Sequence, residues 1–375
     1  VENQRHDPGV GNGLRREMGL LSATVLVIAN MIGTGIFTTS GFVMEALGDP
    51  RAMLLCWALG GLFALSGALC YGELGAMFPR AGGEYVFLRE SFGQCMGFVS
   101  GWISLIVGFS APIAAASMAF AAYLLRTLPG LFPGKPDLAL IHVGGFTVTP
   151  ATLIAVGIIV VFSAVHSRSL SLGSRVQNVL TLFKVAVILA FVVAGLSLGR
   201  GSAAHFNAAP ESGGGLMAPF ATSLILISFA YSGWNAAAYL GSEIRDPGRN
   251  IPLALLSGTL VVSVLYLLIN TVFIYALPAP EMRGVLEVGA AAAAALFGEA
   301  VGRMFSMMVT LCLLSVISAM IMAGPRVYFA MAQDRIFFQA LGRVSQAHGT
   351  PSAAILLQAV IAILMVLTAT FEGLL

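Results

Sequence analysis

The chain has 375 residues, 58% of them hydrophobic and only 10% charged, with 19 basic against 17 acidic side chains. Together with a mean hydropathy of +0.92, this lies far outside the range of soluble globular domains and marks an integral membrane protein. With so little net charge no nucleic-acid partner is expected. His6, His142, His166, His205 and His348 all fall at the amino terminus or in predicted loops, so neither a metal or cofactor site nor a histidine relay is expected inside the membrane.

Residues 1–17 are polar at first and lack the basic start, short apolar stretch and cleavage site of a secretory signal, and they read as a cytoplasmic tail. A crossing needs on the order of 20 mostly apolar residues. By that rule the chain contains nine helices, over 18–45, 53–77, 97–125, 149–165, 176–198, 216–241, 252–276, 301–331 and 353–370. With the amino terminus inside, the inner side gathers Arg5, Arg15, Arg16, Arg80, Arg89, Arg168, Arg175, Arg245, Arg249, Arg326, Arg335 and Arg343, while the outer side keeps few basic residues, as the positive-inside rule asks. The stretches 127–148 and 199–215 are then external and 80–93 is internal. Cys56, Cys70 and Cys312 fall in apolar segments and Cys95 near a segment end, so no disulfide framework is expected.

The first helix carries Gly33-Thr34-Gly35 and the sixth Ser232-Gly233 at matching places. The chain therefore reads as two five-helix units, 18–198 and 216–375, the second inverted because each unit crosses an odd number of times. The second unit lacks a tenth helix, and with a first residue that is Val the sequence is expected to be a fragment. Glycines and a β-branched threonine favour local unwinding. An unwound turn frees amides at the start of one half-helix and carbonyls at the end of the other. Amides and their dipole suit a carboxylate, and the carbonyls closing the outer half of helix 6 suit an ammonium group. Ile32, Gly33, Thr34 and Gly35 from the first break, with Phe229, Ala230, Ser232, Gly233 and Asn235 from the second, are the expected substrate site, and Phe229 is the expected gate. The competing reading takes the glycines as helix-packing surfaces, and Phe37, Phe229, Tyr231 and Trp234 as ordinary packing.

Lys184 stands alone, half-way along the fifth helix and too deep to snorkel. Two roles are open: an amine that exchanges a proton during a transport cycle, or a charged strut bonded to carbonyls of the first break. Either way its charge takes the space of a sodium ion. Ser315 and Ser318 on helix 8 are its expected hydrogen-bonding neighbours. Glu45, Glu73 and Glu243 fall near helix ends with no buried pairing expected, so no enzymatic acid-base machinery is visible. The lack of a deep carboxylate disfavours a cationic substrate.

Four stretches carry a family resemblance: Gly33-Thr34-Gly35-Ile36-Phe37; Phe78-Pro79-Arg80-Ala81-Gly82-Gly83-Glu84-Tyr85; the runs Phe229 to Asn235 and Glu243 to Pro252; and Arg326 to Asp334. The chain resembles the amino acid, polyamine and organocation transporter superfamily, most closely its L-amino acid transporter branch. The resemblance implies an all-α inverted-repeat fold of the LeuT type with discontinuous helices 1 and 6, alternating access, substrate held by the two breaks, and a lysine on helix 5 where sodium-coupled relatives bind an ion. It departs from the family pattern at Gly324-Pro325, which is expected to alter helix 8, at Ser242, and in an external loop without the cysteine that would link a heavy chain. The expected function is sodium-independent transport of neutral L-amino acids by exchange or proton coupling. An amino-acid sensor that does not translocate, and a cationic amino acid or polyamine carrier, are the alternatives.

Overall fold

The computed structural model describes residues 14–128, 141–143, 146–207 and 217–368. The expectations for most of the amino-terminal tail, for much of the two external stretches and for the chain beyond 368 lie outside the described residues. The first span runs as α1 (Leu20–Met31), stops over 32–34 and resumes as α2 (Gly35–Leu47), bent by 42°. Asp49 then caps α3 (Pro50–Met77), accepting the Arg51 N–H at 2.8 Å, with Pro50 at the first helical position.

Between spans, the segment read as an internal loop contains α4 (Glu84–Phe92), which follows Gly82 and Gly83 at φ 116° and 52°. The third span consists of α5 (Gln94–Ile103), a π-helical stretch over Ser104–Ser110 and α6 (Ala111–Thr127). Pro112 supplies no N–H and its ring crowds the carbonyl four residues back. The wider turn relieves this, with the Ala111 N–H reaching Ile106 O. A small antiparallel hairpin, β1 (Ile141–Val143) with β2 (Phe146–Val148), pairs Ile141 with Val148.

The helix α7 (Pro150–Arg168) starts in a capping box between Thr149 and Thr152. Only Ser169 separates it from α8 (Leu170–Leu198), whose start it caps. His166 therefore lies in the last turn of α7 and is buried, not in a loop as the sequence suggested. Next come α9 (Met217–Ala230), a turn over 231–235 and the single-turn α10 (Ala236–Tyr239). The long α11 (Pro247–Ala276) follows, then α12 (Ala279–Met282) and α13 (Val288–Phe297), a short apolar helix not foreseen from sequence. The last spans are α14 (Glu299–Ala323) continuing through Gly324 into α15 (Pro325–Gln333), and α16 (Ser352–Thr368).

By length and apolar character six helices can cross a membrane, or seven with the bent α1–α2 pair, while α9, α13 and α16 are shorter apolar helices. Among the described residues each of the nine expected spans overlaps one or more helices, the first and sixth being interrupted and the third carrying the π-helical stretch. Gly324-Pro325 interrupts the eighth, yet Glu299–Gln333 remains one 35-residue span. The packing role of glycine is realised on α3. A Cβ at Gly60 would lie 2.5 Å from Ile227, and one at Gly72 would lie 3.1 Å from Pro252 Cα, so α9 and α11 close on a glycine face. The opposite face of α3 leaves Leu55, Leu62 and Leu69 exposed, as a lipid-facing surface would.

Candidate functional site

The two broken helices meet at their breaks. A Cβ on Gly35 would sit 3.0 Å from Ala230, and one on Gly233 would sit 2.7 Å from Asn30 Nδ2 and 2.8 Å from Asn30 O. Gly233 adopts φ 98°, which a side chain resists, so this crossing needs glycine twice over. In the first break Ile32 N–H still reaches Ile28 O at 3.1 Å and Phe37 N–H reaches Thr34 O at 2.9 Å. The amides of Thr34, Gly35 and Ile36 find no backbone carbonyl among the described residues. Three N–H groups at the start of α2 are thus available to an anion.

The carbonyls on the other side of the break are taken by side chains. Lys184 Nζ, fully buried, donates to Ala29 O at 3.0 Å and Ile32 O at 2.7 Å. Tyr266 OH lies 2.7 Å from Met31 O and 3.1 Å from Ala230 O, so one hydroxyl spans both breaks. It belongs to an aromatic cluster with Tyr231 at 5.0 Å and Trp57 at 5.4 Å between ring centroids. Asn30 Nδ2 donates to Gly233 O at 3.4 Å, and its Oδ1 is buried without a partner. An acceptor left bare beside such a crossing is suited to a ligand's ammonium group.

Toward the side that carries α4, Asn235 donates to Glu84 and, at 3.1 Å, to Tyr239 OH. Burial pushes the Glu84 carboxyl up, against the bonds from Asn235, Tyr71 and Tyr239 that favour its ionised form. Gly82 N–H reaches Tyr239 O at 3.0 Å, and Ala81 N–H reaches Ser242 Oγ at 2.8 Å. These bonds draw the backbone after Tyr239 away from its own helical ladder, which is why the sixth span resumes after its break for one turn rather than as a helix to residue 241. Asp334 at the end of α15 accepts from Arg80 at 3.0 Å and Tyr85 at 2.8 Å, and it also pairs with Arg89. Burial alone would raise its carboxyl, but Tyr85, Arg80 and Arg89 together hold it below the usual range.

Glu243 and Arg326 form a buried two-pronged ion pair, both bonds 2.8 Å. The sequence reading had Glu243 near a helix end without a buried pairing and Lys184 as the lone deep charge. Both are corrected here, because the fold carries the chain after α10 under α15. Glu84, at the start of α4 between two spans, is a part-buried carboxylate that the sequence reading did not use.

Of the residues named from sequence, Gly35 closes on Ala230 and Gly233 on Asn30 at the crossing, and Ile32 gives its carbonyl to Lys184; Gly33 and Thr34 lie in the first break, Ser232 is exposed in the second, and Asn235 turns to Glu84. Phe229 stands apart, 73% exposed and without a ring partner among the described residues. Aromatic packing beyond the first break is made instead by Phe305, 5.9 Å from Phe37 and 4.5 Å from Phe191. Ser315 and Ser318 do not bond Lys184. Ser318 Oγ pairs with His166 Nε2 at 2.8 Å, Ser315 O accepts from Gln177 at 3.0 Å, and Ser315 Oγ is buried and unpartnered. Sequence reasoning missed Asn30, Tyr266 and Glu84. Glu84 stands within a motif quoted above and Asn30 three residues before the first break, while Tyr266 gave no signal beyond being a hydroxyl in an apolar helix.

A bundle of apolar spans around two crossed, interrupted helices with free amides on one side defines a multi-pass membrane permease. The family model of the amino acid permeases matches residues 18–373, and the chain belongs to that family. It is 33% identical over 359 residues to the serine/threonine exchanger SteT of Bacillus subtilis (strain 168), covering 95% of this chain and 77% of that protein. It is 30% identical over 369 residues to the b(0,+)-type amino acid transporter 1 of Homo sapiens, covering 96% and 72%. With the human large neutral amino acids transporter small subunit 2 the figures are 28% over 377 residues, 96% and 66%. The chain is an amino acid transporter of the membrane, and its family is one of permeases rather than enzymes.

Proposed function

We propose that this permease carries neutral L-amino acids by alternating access, without sodium, by exchange of one amino acid for another. The observation that carries this reading is Lys184 Nζ on Ala29 O and Ile32 O. A fixed ammonium group there occupies the carbonyls that a coordinated sodium ion would require. It leaves the Thr34, Gly35 and Ile36 amides for the substrate carboxylate, with Asn30 Oδ1 and the carbonyls ending α9 for its ammonium. On this reading the two units are 18–198 and an inverted 216–375, the amino terminus is cytoplasmic, and the Asn235–Glu84 contact forms the inner floor of the pathway. Exchange rather than proton symport is supported by the resemblance to a serine/threonine exchanger.

Glu84 supports a second reading, a carrier of cationic amino acids, since a carboxylate beneath the crossing can pair with a charged side chain. The similarity to a b(0,+)-type transporter points the same way. Counterflow in proteoliposomes separates these. Serine, threonine or leucine inside should drive uptake of the labelled amino acid equally in sodium and in choline, while arginine and lysine should not. Strict sodium dependence would refute the proposal, and counterflow driven by arginine alone would establish the second reading.

A further inference from the structure

A polar groove of about 220 Å³ lies far from the crossing, where α1, α7, α8 and α16 come to one membrane face. Its walls include Arg15, Glu17, Arg168, Ser169, Gln346 and His348. These residues come from four separate parts of the chain: the segment leading into α1, the last turn of α7, the cap of α8, and the loop before α16.

That loop is held in place, not merely adjacent. Gly349 N–H bonds Ser345 O at 2.8 Å, while Thr350 Oγ1 and Ser352 Oγ both donate to Ser167 O, at 2.6 and 3.2 Å. Arg15 lies along it, its Cδ 4.0 Å from where a Cβ on Gly349 would be. Among the described residues neither the Arg15 nor the Arg168 guanidinium has a hydrogen-bond or ion-pair partner, and Glu17 is beyond ion-pair distance of both. The positive end of the 29-residue α8 opens on the same groove through Ser169 and Leu170. Just past it, Leu21 on α1 and Leu172 on α8 are exposed, 70% and 43%, which sets the groove at the boundary between headgroups and hydrocarbon.

We infer that this groove is a binding site for a phosphate-bearing anion, held by the guanidinium groups of Arg15 and Arg168. Two unpaired forks beside a cavity of this size match phosphate oxygens. The adjoining apolar helix faces would receive the chains of an anionic phospholipid, and free phosphate offers the same chemistry without them. The site is independent of what the transporter carries.

Native mass spectrometry tests it on the full chain in detergent with equimolar phosphatidylglycerol and phosphatidylcholine, alongside the R15A/R168A double variant. Both arginines are exposed and unpartnered, so the variant should melt at the wild-type temperature. The wild type should retain phosphatidylglycerol roughly tenfold over phosphatidylcholine, and the variant should lose that preference. A second arm titrates inorganic phosphate and follows the melting temperature. A rise in the wild type that the variant lacks, without lipid preference, would assign the groove to soluble phosphate. Equal behaviour of wild type and variant in both arms would overturn the inference.

Discussion

Lys184 and Tyr266 act on the same short piece of backbone, residues 29–32. Each bond from a charged donor contributes about 1.5–3 kcal/mol. Lys184→Met should therefore lower the initial rate of counterflow by at least about tenfold, while Lys184→Arg, keeping a donor and a charge, should recover part of it. Tyr266→Phe removes one neutral donor shared by Met31 O and Ala230 O. Its expected cost is smaller, about 0.5–1.5 kcal/mol, read as a several-fold loss of apparent substrate affinity with folding intact. Gly35→Leu would drive a side chain into Ala230 and close the crossing, so ligand-induced thermal stabilisation should vanish in that variant. Lys184 was legible because a single charge in an apolar run is conspicuous. Tyr266 was not, because a tyrosine in a membrane helix looks the same whether its hydroxyl reaches a neighbouring backbone or a headgroup.

Between elements, the structure is tied together on the α4 side by charges that the sequence scatters over more than 250 positions. Removing Glu243 alone strands a buried guanidinium. Glu243→Ala should cost about 3–5 kcal/mol in thermal or denaturant unfolding, and Glu243→Met with Arg326→Met should cost less than that single change. The two carboxyls nearby respond to pH in opposite directions. Glu84 is raised in the folded chain, so its contribution is full below about pH 4.3, its unfolded value, and is lost as pH rises through the folded value. Asp334 is lowered, so its contribution is present above about pH 3.9 and is lost as pH falls through the folded value. Melting temperatures across this range should show Glu84→Gln flattening the rise-with-pH loss and Asp334→Asn flattening the acid loss. The long helices were legible from apolar length, but not all their starts: Asp49-Pro50 and Ser169 begin α3 and α8 three and six residues before the apolar runs that marked them. The single turn of α10 was not legible, because it is set by bonds from the amides of residues 81 and 82, which no local pattern reveals.

For the whole molecule, the proposed orientation places Cys95 on the cytoplasmic side with α4, while Cys56 and Cys312 are buried. A membrane-impermeant maleimide should label Cys95 in inverted vesicles and leave it untouched in right-side-out ones; the reverse pattern would turn the topology over. Composition and hydropathy alone determined that this is a multi-pass helical membrane protein, since a hydrocarbon solvent accepts little else. The paired glycine interruptions determined where its helices part, because unwinding is a local property of the residues that unwind. Only the tertiary structure decided which side chains complete the site: that Lys184 rests on Ala29 and Ile32, that Tyr266 joins both breaks, that Phe229 stays outside while Phe305 packs against Phe37, and that Glu243 finds Arg326. Those are meetings between helices far apart in the chain, chosen by packing and by the need of buried polar groups for partners, and neither pressure leaves a periodic trace along the sequence.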